Sequence, residues 1–149
     1  MAKILLMHGI NHQMFGKRDP KHYGTITLQE IEQKATAWAS ELGHELECFQ
    51  TDHEGEMAIK IHQAFLGDID AIVINAGAWT HYSYGILDAL NIFKDKGPII
   101  ETHMSNVHAR EEFRHKSVFA TAVVGQICGF GVTTYKMGLV AADSILKGE

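Results

Sequence analysis

The stretch Asp70–Asn75, DAIVIN, places an unbroken apolar run directly before an asparagine. A run of this kind, rich in β-branched residues, is typical of a strand that is buried on both faces in the middle of a parallel sheet. Similar runs alternate along the chain with segments of helical periodicity. The predicted strands are Lys3–His8, His44–Gln50, Asp70–Asn75, Pro98–His103 and Ser117–Val124, and the predicted helices are Thr27–Leu42, Glu54–Gly67, Ser83–Phe93 and Val132–Leu146.

This alternation predicts an α/β fold of the flavodoxin-like type, a three-layer sandwich in which a five-stranded parallel sheet carries helices on both faces. Residues 1–149 are expected to form a single domain. Thr27 and Glu30 have the spacing of a capping box, and Gly43 marks the end of the same helix. In the second helix, the residues expected to face the core are Met57, Ile61, Ala64 and Phe65.

The composition excludes several classes of protein. The chain has 149 residues, 46% of them hydrophobic, and a formal net charge of −5, which gives no support for a nucleic-acid or membrane partner. No apolar stretch approaches the ~20 residues of a membrane span. Cys48 and Cys128 lie far apart in the sequence and are interpreted as buried thiols in a reducing cytoplasm.

Polar residues follow four of the predicted strands, at the edge where such folds bind ligands. The most prominent ones are Asn11, Arg18, Tyr23, Asn75, His81, His103, Ser105 and Arg114. Each also has an ordinary structural interpretation; Asn75, for example, could form a turn before Gly77. Asp52 and Glu54 are interpreted as caps of the second helix.

Several motifs resemble the type II 3-dehydroquinate dehydratase family. They are GKRDPKHYG (16–24), CFQTDHEGE (48–56), INAGAWTHYS (74–83) and ETHMSNVHAREEFRHKS (101–117). The matches follow the family's order over nearly the whole chain, and SNVHAREEFRH is highly specific. The opening loop departs from the pattern, with His8 for Asn, Ile10 for Pro and His12 for Leu. Leu87 stands where an Arg is common.

The resemblance implies an anti elimination of water from 3-dehydroquinate, giving 3-dehydroshikimate through an enolate, with no metal and no organic cofactor. It implies that Tyr23 is the base, that Arg18 activates it and that His103 is the general acid. It also implies a homododecamer built as a tetramer of trimers, and it leaves a biosynthetic or a quinate-degrading role open. The positions that correspond to substrate binding are Asn75, His81, Asp88, Met104, Ser105 and Arg114, with Asp88 near a neighbouring subunit's site.

The residue types suit this chemistry. A guanidinium beside a phenol favours the phenolate, and an imidazole titrates near neutral pH, as a general acid requires. Asn11 or the Asn75 amide could donate to the enolate oxygen. Glu101 points the same way as His103 on a strand and is expected to orient its ring.

Further expectations concern the segment that follows the fourth strand. Backbone N–H groups at Met104 and Ser105 would bind a carboxylate if a helix began there, and Arg114 would bind a hydroxyl or carboxylate. The neighbours of Arg114 are expected to form a solvated or inter-subunit scaffold; they are Arg110, Glu111, Glu112 and His115.

Two other functions compete with the dehydratase. One is a non-catalytic flavodoxin-like module that binds a small anion, but a receiver needs acidic residues at strand ends that here carry His8 and Asn75. The other is a metal hydrolase using His103, His108 and His115. The spacing of His108 and His115 would not place both on one helical face.

Overall fold

A computed structural model describes all residues, 1–149, and has one five-stranded sheet in the order β2-β1-β3-β4-β5. Every neighbouring pair of strands is parallel. This strand order is that of flavodoxin, and it reverses between β1 and β3. The strands are β1 (Lys3–His8), β2 (Glu45–Gln50), β3 (Ala71–Asn75), β4 (Ile99–His103) and β5 (Gly125–Cys128); the helices are α1 (Pro20–Tyr23), α2 (Leu28–Glu41), α3 (Glu54–Leu66), α4 (Tyr84–Phe93) and α5 (Thr133–Leu146).

Two apolar cores form because side chains alternate between the two faces of the sheet. Ile72 and Ile74 of β3 pack into a core with α3 and α4, whereas Ala71 and Val73 pack into a core with α2 and α5. All five residues of β3 are buried, as expected for a central strand. The predicted three-layer sandwich is therefore confirmed, while the assignment of the chain to a single domain stays a prediction.

Helix α2 begins as predicted. The Thr27 hydroxyl accepts a hydrogen bond from the Glu30 N–H at 3.2 Å, and the Glu30 carboxylate accepts one from the Thr27 N–H at 3.1 Å. Gly43 follows the helix with a φ of +85°, in the left-handed region that favours glycine.

Helix α3 corrects two predictions and agrees with a third. His53, not Asp52, precedes its first turn, and no side chain caps it, whereas Glu54 lies in that first turn as expected. The Asp52 carboxylate instead accepts a hydrogen bond from the Asn11 N–H at 2.8 Å, and Glu54 accepts one from the Ser83 hydroxyl at 2.5 Å. Phe65 is 37% exposed because it lies at the edge of the inward face that Met57, Ile61 and Ala64 define.

The predicted fifth strand, Ser117–Val124, is wrong. This segment forms turns, and its apolar residues Phe119 and Ala122 fill the core on the α3–α4 side of the sheet. The strand comes later, at Gly125–Cys128, and pairs with β4 from Ile100 to His103. Apolar content alone could not distinguish a strand from a core-filling turn.

The cysteines are free but only partly buried, because both lie on edge strands of the sheet. Burial, reinforced by the charge of Glu32, raises the pKa of the Cys48 thiol to about 12, so that it stays protonated and unreactive. No helix of the chain is both long and apolar enough to cross a membrane.

Candidate active site

A cavity of about 110 Å³ opens at the carboxyl edge of the sheet, where β1, β3 and β4 end. The structure brings nearly all the predicted site residues to it: Asn11, Arg18, Tyr23, Asn75, His81, His103, Met104, Ser105 and Arg114. The loop Gly9–Ile26 carries the first three. This loop contains a 3₁₀ helix (His12–Met14) and α1.

The Tyr23 hydroxyl oxygen accepts hydrogen bonds from two guanidinium groups. Arg18 Nη2 donates at 3.0 Å and Arg110 Nη1 donates at 2.9 Å. The Arg18 Cζ atom also lies 3.8 Å from the centre of the Tyr23 ring. Two guanidinium groups that donate to one phenol oxygen can stabilise negative charge that develops on it.

Arg110 is the functional residue that the sequence interpretation missed. Its side chain is only 10% exposed, and Nη1 also donates to the Ser105 hydroxyl at 3.2 Å, so its assignment to a solvated scaffold is wrong. A 3₁₀ turn at Val107–Ala109, capped by Asn106, returns the chain toward the cavity. The only signal in the sequence was its place in the segment after the fourth strand.

His103 lies at the end of β4 and is held by a buried carboxylate. Its Nε2 lies 2.8 Å from Glu101 Oε2, and the Ser117 hydroxyl donates to Glu101 Oε1 at 2.5 Å. Glu101 is 3% exposed, so these two contacts satisfy a carboxylate that is largely cut off from water. With Nε2–H directed at Glu101, the Nδ1 atom of His103 is left to exchange a proton with a bound molecule. The expected role of Glu101 in orienting His103 agrees with this geometry.

His81 stacks beside His103, with ring centres 6.2 Å apart and planes inclined by 18°. Its Nδ1 donates to the Lys116 carbonyl at 2.8 Å, which leaves Nε2 as an acceptor. Burial lowers the pKa of His81 and outweighs the opposite effect of that hydrogen bond. His81 is therefore a neutral group that can accept a hydrogen bond from a hydroxyl.

Two asparagines are held at the floor of the cavity. Asn75 donates from Nδ2 to the Tyr135 hydroxyl at 2.9 Å and accepts at Oδ1 from the Gly77 N–H at 3.2 Å. One Nδ2–H of Asn75 remains unused. Asn11 has a φ of +71°, and its N–H is the group bound by Asp52.

The other end of the cavity contains Met104, Ser105 and Arg114. No helix begins at Met104 or Ser105, so no helix start directs their backbone N–H groups at a carboxylate. These residues form a bend, and a 3₁₀ helix starts at Val107. Arg114 Nε donates to Glu111 at 3.0 Å, so a neighbour does hold Arg114. The remaining guanidinium nitrogens stay available for an anion.

Asp88 and the histidine pair lie apart from this arrangement. Asp88 is exposed on α4 and does not line the cavity, so its role at a neighbouring subunit stays a prediction. The rings of His108 and His115 are 6.0 Å apart, closer than their spacing suggested, but His115 Nε2 is bonded to the Arg110 carbonyl. No group of three or more His, Cys, Asp or Glu side chains is placed to hold a metal ion.

Comparison with known proteins agrees with this geometry. The model of the family described as dehydroquinase class II matches residues 2–143. The chain belongs to the dehydroquinase class II family. This confirms the resemblance that the motifs indicated.

Relatives and solved structures of this family extend the match. A 3-dehydroquinate dehydratase of Syntrophotalea carbinolica is 64% identical over 149 residues, covering 100% of this chain and 99% of that protein. The 3-dehydroquinate dehydratase of Pelobacter propionicus is 61% identical, with 99% and 97% covered. The crystal structure of a type II dehydroquinase from Butyrivibrio crossotus superposes with a TM-score of 0.93 at 40% identity, covering 96% of this chain and 98% of that one.

Proposed function

We propose that this chain is a 3-dehydroquinate dehydratase, which eliminates water from 3-dehydroquinate to give 3-dehydroshikimate through an enolate. The observation that carries the proposal is that one small cavity holds a phenol bound by two guanidinium groups together with an imidazole bound by a buried carboxylate. The first pair is suited to take a proton from carbon and the second to give one to oxygen. A module that only binds small anions would need neither pair.

The first step is removal of a proton from the carbon next to the substrate ketone. Tyr23, as the phenolate, takes this proton, and the electron pair of the C–H bond moves to form the enolate. Arg18 and Arg110 stabilise the phenolate before the transfer, since both donate to the same oxygen. The phenol that results still accepts from both.

The enolate oxygen then needs hydrogen-bond donors that are already in place. Asn11 lines the cavity, and the unused Nδ2–H of Asn75 is oriented by Tyr135 and Gly77. Donors held in advance stabilise developing charge without reorganising during the reaction. These two side chains are therefore proposed to bind that end of the substrate, directly or through a water molecule.

In the second step the enolate collapses, a carbon–carbon double bond forms and the carbon–oxygen bond to the leaving hydroxyl breaks. His103 donates its proton to that oxygen, so that water leaves. Glu101 keeps the imidazole oriented and balances its positive charge beforehand. Each step moves a proton between the substrate and one side chain of the protein, and the proposed mechanism uses no metal and no organic cofactor.

The remaining polar groups are proposed to bind the substrate. His81 accepts from a ring hydroxyl, the Ser105 hydroxyl donates to the carboxylate, and Arg114 binds a hydroxyl or carboxylate with the nitrogens that Glu111 does not use. Removing Arg114 should therefore weaken binding more than it slows the chemistry.

Assembly and context form a separate part of the proposal. We propose a homododecamer, a tetramer of trimers, in the cytoplasm, with Asp88 of one subunit near the site of another and with a role in the shikimate or the quinate pathway. Exposed apolar side chains around α4 support assembly, among them Tyr82, Tyr84 and Ile92. Light scattering on the purified chain tests it, and a monomer would contradict it.

The decisive experiment adds 3-dehydroquinate to the purified protein and follows the absorbance of the enone product, with a chelator present. We expect turnover that the chelator does not reduce. An absence of signal at high protein concentration would contradict the proposal and would favour the binding module.

A further inference from the structure

His12 is a cavity residue that the roles above leave unused. It is 2% exposed and lies in the 3₁₀ helix that follows β1. Its Nδ1 accepts a hydrogen bond from the Gly9 N–H at 3.1 Å, and the same N–H also donates to the Asn75 carbonyl at 2.8 Å. A backbone N–H can only donate, so Nδ1 carries no proton and the ring proton is on Nε2.

The imidazole of His12 is neutral as well as oriented. Burial holds the pKa of His12 well below its ordinary value of 6.5, and the positive charge of Arg18 acts in the same direction. A neutral ring with its proton on Nε2 can donate a hydrogen bond but has little tendency to give the proton away. This is the behaviour needed from a group that stabilises an oxyanion without protonating it.

The Nε2 atom lies against a bare part of the cavity floor. A Cβ atom added to Gly77 would be 3.0 Å from His12 Nε2 and 3.3 Å from the Ile10 carbonyl oxygen, so only glycine leaves this space free. Gly77 also has a φ of +61°, which a larger residue rarely adopts. No group of the chain accepts from Nε2, and the cavity there is bounded by Ile10, Asn11 and Gly77.

Packing fixes the direction of this donor. The His12 ring stacks on Phe15, with ring centres 4.6 Å apart and planes inclined by 18°. Phe15 is itself buried and lies 5.8 Å from the Tyr23 ring. The imidazole is thus held from one side by an aromatic ring and from the other by the Gly9 N–H, as a donor placed in advance of the reaction requires.

We propose that His12 is a further catalytic residue of this chain, whose Nε2–H donates a hydrogen bond to the substrate ketone oxygen as it becomes the enolate oxygen. The proposal rests on the dehydratase function proposed above. The family pattern has Leu at this position, so His12 adds a donor that this pattern lacks, beside Asn11 and Asn75.

The test compares two variants of His12 with wild type. His12→Leu fills a similar volume without a donor, whereas His12→Gln keeps an N–H at the end of the side chain. We expect kcat of His12→Leu to fall by about 10- to 100-fold with KM little changed, a limited loss because other donors remain at the oxyanion. His12→Gln should recover much of that loss because it keeps a donor. His8→Asn is the matched control, since His8 is buried but does not line the cavity, and its kcat should stay near wild type.

Wild-type turnover is measured first, so the two proposals fail separately: no turnover contradicts the dehydratase, whereas equal kcat for wild type and a folded His12→Leu contradicts only the role of His12.

Nitrogen NMR of wild-type protein with labelled histidine gives an independent readout if His12→Leu does not fold. We expect the His12 Nε2 resonance to stay in its neutral, protonated form from about pH 5 to 8 and to shift when a cyclohexene carboxylate that mimics the planar enolate saturates the site. An Nε2 resonance that does not move on saturation would overturn the proposal.

Discussion

The two sides of the cavity prepare opposite proton transfers in different ways. On the phenol side, Tyr23 stands on a four-residue helix in a loop and is held by Arg18, five positions away, and by Arg110, which is 87 positions away. On the imidazole side, His103 ends a buried strand and is held by Glu101, two positions earlier on the same strand.

The two reacting groups depend on different parts of the fold. The imidazole side is rigid because β4 is hydrogen-bonded to neighbouring strands on both edges, and the strand period of two places Glu101 and His103 on one face. The phenol side lies on a loop, and the side-chain hydrogen bond that joins this loop to the segment after β4 is the one from Arg110 to Tyr23. The phenol side should therefore depend more on distant residues than the imidazole side does.

Removing either reacting group should have the largest effect. Tyr23→Phe keeps the ring on which Arg18 stacks but removes the hydroxyl, and His103→Ala removes the acid. We expect each to lower kcat by about 10²- to 10⁴-fold, the usual contribution of a positioned acid or base, with a modest change in KM. Steady-state kinetics by enone absorbance measures this, and normal turnover by His103→Ala would show that its assigned role is wrong.

The distant contact on the phenol side gives the next effect. Arg110→Met removes one of two charge-assisted hydrogen bonds to Tyr23. Such a bond contributes about 1.5–3 kcal/mol, so we expect kcat to fall roughly 10- to 100-fold. Arg114→Met is the matched control, because Arg114 does not contact Tyr23 and should mainly raise KM. If Arg110→Met keeps the wild-type kcat, Arg18 alone prepares the phenol, and both reacting groups then depend on residues close to them in the sequence.

The carboxylate behind His103 should show a graded loss. Glu101→Gln keeps the shape but removes the charge that faces the imidazole, and we expect a fall in kcat of roughly tenfold or more. Ser117→Ala leaves the charge of Glu101 in place and removes only one hydrogen bond to it, so we expect a smaller fall in kcat than for Glu101→Gln. A Ser117→Ala loss as large as that of Glu101→Gln would mean that Ser117 sets the position of Glu101.

His8 provides a counter-case, a buried imidazole with no carboxylate bonded to it. Its Nε2 lies 3.7 Å from Glu32 Oε2, too far for a hydrogen bond, and burial lowers the pKa of His8 to about 3, so the imidazole is neutral near pH 7. Burial also raises the pKa of Glu32. The protonated form of His8 therefore belongs to the unfolded chain. His8 therefore destabilises the folded chain in acid. This loss of stability is absent above pH 6.5, the ordinary pKa of the group, and grows as the pH falls from there toward 3.

We expect the free energy of unfolding of wild type to fall with acid, with His8 contributing up to about 1.4 kcal/mol per pH unit below its unfolded pKa. His8→Asn should reduce that slope by about one proton. Denaturant unfolding between about pH 4 and 7 measures both slopes. Equal slopes for wild type and His8→Asn would contradict the neutral, buried state of His8.

The fold was largely predictable because its strongest signals are local. Continuous apolar runs predicted β1, β3 and β4, and the Thr27–Glu30 spacing predicted the start of α2. The errors came from segments whose pattern has two physical solutions. Ser117–Val124 is apolar enough for a strand but is buried as turns, and Asp52 has the chemistry of a helix cap but binds the Asn11 N–H.

The site was predictable to the extent that its residues follow strands. Parallel strands end at one edge, so Asn75 and His103 had to come near the loop that carries Asn11, Arg18 and Tyr23. Arg110 was misassigned because a mixed-charge segment is usually solvated, and nothing local shows that its 3₁₀ turn brings the guanidinium back to Tyr23.

The sequence by itself determined the alternation of strands and helices, the family and the residues that reach the carboxyl edge, because these depend on periodicity and on short motifs. Only the tertiary structure decided which groups meet there: Arg110 with Tyr23, Ser117 with Glu101, and His12 Nε2 with the open floor at Gly77. Such pairings depend on distances of a few ångströms between residues far apart in the chain, and a hydrogen bond forms or fails on that scale.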